Sequence, residues 1–173
     1  QTEITVTTTG GEFTYDGKEH KATVAVTGLP KGYSVKTATS SATATDVTTT
    51  AVAASCDTLV IQNAAEKDVT SKLNITYVDG TIKINPATLT IVTESASKVY
   101  DGTALTADGT IEGFVNGETA TFAVTGSQTA VGTSNNTYKL VWDKTAKESN
   151  YTVHATVGKL TVTENQTQIV VTT

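Results

Sequence analysis

The chain has 173 residues, a net charge of −5, and 12 basic residues that are all lysine. That balance argues against the basic patches and bidentate arginine contacts that hold nucleic acid or anionic membranes. Thr is the commonest residue, Val and Ile are frequent, Met is absent and Pro occurs twice, a bias that favours strands over helices because β-branched side chains pack well on a pleated surface.

No apolar run approaches the roughly 18 residues that a membrane-spanning helix needs. The lone cysteine, Cys56, has no partner for a disulfide within the chain. The sequence starts at Gln1 directly in a strand-like alternation, with no initiator Met and no export signal; it is expected to be an excerpt of a longer array.

Period-2 alternation bounded by turn residues predicts strands near 3–8, 22–28, 33–38, 43–47, 57–62, 73–78 and 81–85. Between the first two strands, Tyr15-Asp16-Gly17 reads as a turn in which Asp16 bonds the backbone two residues on. Leu29-Pro30-Lys31-Gly32 reads as a turn with Pro at its second position. Ala64 to Val69 could form one helical turn or a loop. Leu73 to Val78, then Asp79-Gly80, then Thr81 to Ile84 reads as a type I′ hairpin, since Asp-Gly supplies the positive φ values that such a turn demands. Asn85-Pro86 marks a junction, because proline cannot donate to a ladder.

Beyond the junction, strands are predicted near 88–93, 107–112, 119–125, 137–142, 150–156 and 159–163. Phe114-Val115-Asn116-Gly117 is the second copy of the earlier turn, and Lys144 to Ser149 a second candidate for a single helical turn. Tyr138, Leu140 and Trp142 alternate onto one strand face, a pattern that favours a core stripe over a sugar platform.

These elements repeat. Tyr15-Asp16-Gly17 falls on Tyr100-Asp101-Gly102, Gly28 and Gly32 on Gly113 and Gly117, and Ile4 to Thr8 on Leu89 to Thr93. Further on, Leu59-Val60 fall on Leu140-Val141, and Leu73, Ile75, Gly80, Ile82 and Ile84 on Tyr151, Val153, Gly158, Leu160 and Val162. The last eight residues, Gln166 to Thr173, match Gln1 to Thr8 at six positions, which reads as the opening strand of a third copy. The expected organisation is a first β module at 1–85, a second at 86–165, and the start of a third copy or a linker at 166–173. Each module is expected to be a small antiparallel all-β domain. An immunoglobulin-like sandwich is the first choice, and a β-grasp-like sheet with a short helix near 64–70 the alternative. Arranged end to end, two such domains would give a radius of gyration above about 20 Å, against about 16 Å for one compact globule of this length.

The ordered motifs resemble the YDG- and MBG-type repeat modules of bacterial, mainly Gram-positive, cell-surface proteins. The resemblance rests on the Thr-rich opening strand, Tyr-Asp-Gly at 15–17 and 100–102, and the segments at 45–47 and 130–133. It is completed by Asp68-Val69-Thr70 leading into Leu73 to Ile84, and by Asn150-Tyr151-Thr152-Val153 in the second copy. The first copy departs at Lys72-Leu73, where the family shows Asn-Tyr, and at Thr48, where Gly132 stands in the second. The resemblance implies a cell-surface protein with an export signal, a distal adhesive or catalytic region, many β repeats and a wall anchor.

Candidates for chemistry are few. His20 and His154 occupy non-equivalent positions and keep no ligand spacing to Cys56 or to clustered carboxylates, so no metal site is predicted. The acidic residues are dispersed without an Asp-x-Asp run, which argues against calcium. No recurring His activates a nucleophile, and Cys56, present in one copy only, is expected to be a small buried apolar residue. No catalytic residue, no cofactor and no particular ligand-binding residue is therefore predicted. The expected function is that of a non-catalytic spacer or stalk, monomeric and in contact with neighbouring repeats of the same chain. An adhesive module for a host glycan or protein is the alternative, and an accessory module of a polysaccharide-degrading enzyme the third reading.

Overall fold

The computed structural model describes residues 3–166 together with 171 and 172. The described residues contain strands, loops and two short 3-10 turns, with no α-helix; the fold is all-β, built of several small sheets. The chain divides into two compact units, Gln1–Pro86 and Ala87–Thr173. The segment expected to open a third copy, 166–173, lies largely outside the described residues.

The first module holds β1 (Ile4–Thr9), β2 (Gly11–Thr14), β3 (His20–Lys21), β4 (Thr23–Thr27) and β5 (Ser34–Thr39). It continues with β6 (Thr43–Ala44), β7 (Val52–Ala54), β8 (Thr58–Gln62), β9 (Ile75–Val78) and β10 (Gly80–Asn85). The strand orders are β4-β1-β9, β2-β10-β7, β3-β6 and β5-β8. The second module holds β11 (Ala87–Thr93), β12 (Ala96–Val99), β13 (Gly109–Glu112) and β14 (Thr121–Val124), then β15 (Gly132–Asn135), β16 (Tyr138–Val141), β17 (Tyr151–Thr156) and β18 (Lys159–Thr163). Its orders, β13-β11-β17, β12-β18-β15 and β14-β16, reproduce three sheets of the first module.

The alternation that identified the strands also decides what they bury. In β11, Ala87, Leu89, Ile91 and Thr93 point inward and the residues between them are exposed. In β1, Ile4, Val6 and Thr8 point inward too, with half-buried residues between them. The first core joins Ile4, Val6, Ile61 and Val69, with Val24, Val26, Tyr33, Leu59, Leu73 and Ile75 packed around it. Burying each such side chain contributes about 1.5–3 kcal/mol. Val69 brings the Asp68-Val69-Thr70 motif into that core. Thr70 then ties it down: its Oγ1 accepts from Ile61 N at 2.8 Å and donates to Asp68 Oδ1 at 2.6 Å.

The predicted hairpin does not form. β9 and β10 pair with the opening of the module instead, both in parallel: Ile4↔Ile75 to Thr7↔Val78, then Gly11↔Ile82 to Thr14↔Asn85. The register offset is the same in both pairs (75 − 4 and 82 − 11 are equal), so the two chain ends form one ladder that turns a corner between sheets. The second module repeats it, from Ala87↔Tyr151 to Val92↔Thr156 and from Ala96↔Leu160 to Val99↔Thr163. The Asp79-Gly80 pair is thus a crossover between sheets. Gly80 is absent from the positive-φ residues, and what requires glycine is proximity. A Cβ on Gly80 would sit 2.6 Å from Thr8 O, and one on Gly158 2.4 Å from the Glu94 backbone.

Other expectations shift locally. The Pro30 turn closes one residue later than expected, Tyr33 N donating to Pro30 O at 3.1 Å. Ala64 to Val69 is a loop in which Asn63 Oδ1 accepts from Ala65 N and Lys67 N, at 2.9 and 3.1 Å. The only helical turns among the described residues are 3-10, at Thr70–Lys72 and Glu148–Asn150. Thr48 performs without special backbone what Gly132 does at a φ of 145°. Gly132 pairs with Val162, whereas Thr48 N donates to Ile84 O and Thr48 Oγ1 accepts from Ile84 N, both at 3.1 Å.

Candidate functional site

The two Tyr-Asp-Gly turns are the most conspicuous repeated polar feature. Asp16 Oδ1 accepts from Lys18 N at 2.9 Å, and Asp101 Oδ1 from Thr103 N at 2.9 Å, with Gly17 and Gly102 at φ of 76° and 77°. These are the predicted Asx turns, in which the aspartate serves the backbone. Around them the modules diverge. His20 stacks on Phe13, with centroids 4.1 Å apart, and its Nε2 lies 3.0 Å from Asp16 Oδ1. In the second module Lys98 Nζ reaches Asp101 Oδ1 at 2.8 Å and Thr103 Oγ1 at 2.7 Å. The Lys98 ammonium, followed by the Thr103 hydroxyl and amide, holds the Asp101 carboxyl well below the usual carboxylate range. Asp16 is lowered as well, first by the Lys18 amide and then by His20.

The aromatic residues of β16 and just beyond it, Tyr138 and Trp142, pack in two groups. Tyr138 faces Phe122 at 6.0 Å, Trp142 stacks on Tyr151 at 6.0 Å, and Phe114 meets Tyr151 edge-on at 5.5 Å. The Tyr151 hydroxyl donates to Glu118 Oε1 at 2.8 Å and accepts from Val115 N at 3.2 Å. Burial, with the Glu118 carboxylate adding to it, pushes the Tyr151 hydroxyl up to about 12. The Tyr151 group clamps the Val115–Glu118 turn, whose central residues Asn116 and Gly117 both have positive φ.

His154 lies on β17 opposite Thr90, exposed, and no second titratable group is bonded to it. Cys56 is half-buried where full burial was expected. It packs at the margin of the first core, and its Sγ donates to Thr58 O at 3.4 Å. No group of three or more His, Cys, Asp or Glu able to hold a metal occurs among the described residues. An open depression is lined by Val99, Val131, Gly132, Thr133, Thr161 and Thr163 among others. Val99 and Val131 are about half exposed there, at 53% and 49%.

One buried polar residue escaped the sequence reading. Asn136 is fully enclosed, and its Nδ2 donates to Glu94 O at 2.9 Å and Ala107 O at 3.2 Å. Its own N–H donates to Gly158 O at 2.8 Å. Ala54, which pairs with Gly80, fills the corresponding place in the first module. The only signal that could have found Asn136 is strand register, because alternation alone does not fix a strand as short as β15.

Residues 89–161 match the family model described as MBG domain (YGX type). No curated protein and no solved structure matches the chain. The matched span runs from Leu89 in β11 to Thr161 in β18, the strands that open and close the second module, and the first module repeats their pairings. The second module thus matches an MBG domain of the YGX type over most of its length, in line with the repeat-module resemblance read from the sequence.

Proposed function

We propose that the chain is a non-catalytic stalk segment of a bacterial surface protein, extracellular and wall-attached as part of a longer chain, that projects a distal functional region from a Gram-positive cell. The MBG family supports the coarser reading, a repeat module of a surface protein. One observation carries the finer one: the modules repeat their frame and not their reactive groups. The parallel ladder, the Asx turns and the crossover glycines recur. His20, Cys56, Asn136 and Trp142 each belong to one module only. A ligand site duplicated along an array would keep its contact residues, whereas a spacer need keep only what folds it.

In the full-length protein, exchanging these two modules for two unrelated β modules should leave distal activity intact, while deleting them should reduce its reach. Loss of activity on exchange would overturn the stalk reading. The adhesive alternative would act at the depression by Val99, Val131 and Thr133. Binding of the purified chain to immobilised host glycans or proteins, abolished by Val131→Ser, would favour it.

A further inference from the structure

We infer that each module is a shear-loaded mechanical clamp, in which tension on the chain is borne by the parallel ladder between its opening and closing strands. The inference rests on the stalk reading for its purpose, since a stalk between a surface and a bound target is stretched along its chain. The geometry that supports it lies within each module.

Tension at the start of the first module pulls β1 toward Glu3, and tension at its end pulls β10 toward Pro86. Because β1–β2 and β9–β10 run parallel, these two forces point in opposite directions along neighbouring strands. The hydrogen bonds lie across the pull and share it. An antiparallel pair pulled from its adjacent ends opens rung by rung, with one bond loaded at a time. A parallel pair in shear must lose many bonds together. The ladder here is long, reaching from Ile4 N to Asn74 O at 3.0 Å through to Tyr15 N to Asn85 O at 2.7 Å. In the second module it ends on Tyr100 N to Thr163 O at 2.8 Å.

Three features oppose slippage. The inward residues of the sheared strands are among the deepest in each module: Ile4, Val6, Ile82 and Ile84 in the first, Leu89, Ile91, Leu160 and Val162 in the second, all at most 1% exposed. Sliding the ladder by one residue would therefore turn buried apolar side chains outward. The corner adds interlock, because both strands change sheet together where Gly10 and Gly80 pass the opposing backbone, and Thr93 Oγ1 accepts from Gly158 N at 2.9 Å. Side chains cross the seam too, Asn85 Nδ2 donating to Glu12 Oε2 at 2.7 Å and the Thr76 hydroxyl to Glu3. Only Pro86 separates β10 from β11 in sequence.

The test is single-molecule stretching of the Cys56→Ser, Asn116→Cys, Lys144→Cys chain in two directions. Pulled by its termini, the chain should unfold in two events, each releasing roughly 250–300 Å of contour, at forces matching those of the chain without the new cysteines. Pulled through positions 116 and 144, both exposed, tension instead opens β14–β16 from its Thr121↔Val141 end. That event should occur at severalfold lower force. Failure of the terminal pull at or below the peeling force would overturn the clamp. It would leave the stalk reading untouched, since that stands or falls on the module exchange in the full-length protein.

Discussion

Thr8 and Thr93 occupy the same inward position at the ladder corner, each 3% exposed, yet differ in what their hydroxyls do. Thr93 Oγ1 accepts from Gly158 N, while Thr8 Oγ1 has no protein partner. Thr93→Val should therefore cost about 1–2 kcal/mol by stranding a buried amide, whereas Thr8→Val should be neutral or stabilising by up to about 1 kcal/mol. Urea unfolding of the two variants checks the contrast; equal effects would show that the corner is not as drawn. Asp101 makes a pH prediction. Its folded-state pKa is depressed, chiefly by Lys98, so the stability it contributes is fully present above the ordinary carboxylate value of about 3.9 and is lost as pH falls below it. Asp16 and Asp68 shift in the same direction through turn hydrogen bonds, and Asp57 and Asp143 through longer-range bonds from Ser41 and Thr121. Asp101→Asn should flatten the fall in the second module's melting temperature between pH 5 and pH 2, as read by circular dichroism. An unchanged slope would contradict the Lys98 pairing.

At the scale of elements, the crossover glycines separate two explanations of one dipeptide. Under a type I′ hairpin, Gly80→Asn would be tolerated, because Asn adopts positive φ readily. With the crossover seen here, any Cβ meets the Thr8 carbonyl at 2.6 Å. Gly80→Ala and Gly80→Asn should thus both cost about 1–3 kcal/mol or more, and Gly158→Ala likewise. A denaturant midpoint unmoved by Gly80→Asn would restore the hairpin. The same residues show why part of the fold was legible and part was not. β1, β4, β11 and β18 carry the period-2 alternation of half-buried strands, and pattern reading found them. β2, β7, β12 and β15 are edge strands of three or four residues, too short for a period, and their partners β10 and β18 lie far away in sequence. Asp79-Gly80 favoured the local hairpin over the long-range parallel pairing that tertiary packing selects. For the site, the turn role of Asp16 and Asp101 followed from local chemistry. Asn136 did not, because its three elements meet only in the folded module.

For the whole molecule, the central claim is that the chain consists of two self-sufficient modules whose side chains are committed to their own fold. Each unit has its own buried apolar set and its own parallel ladder, so each should melt on its own terms. The direct measurement is calorimetry of the full chain carrying Leu160→Ala, a truncation at a fully buried position of the second module. A change of that kind costs about 2–5 kcal/mol, which for a domain of this size lowers the transition by roughly 10 °C or more. The account predicts two resolved transitions, with that of the second module lowered and that of the first at its original temperature. A single transition displaced as a whole would contradict it, since it would mean that the two units fold as one.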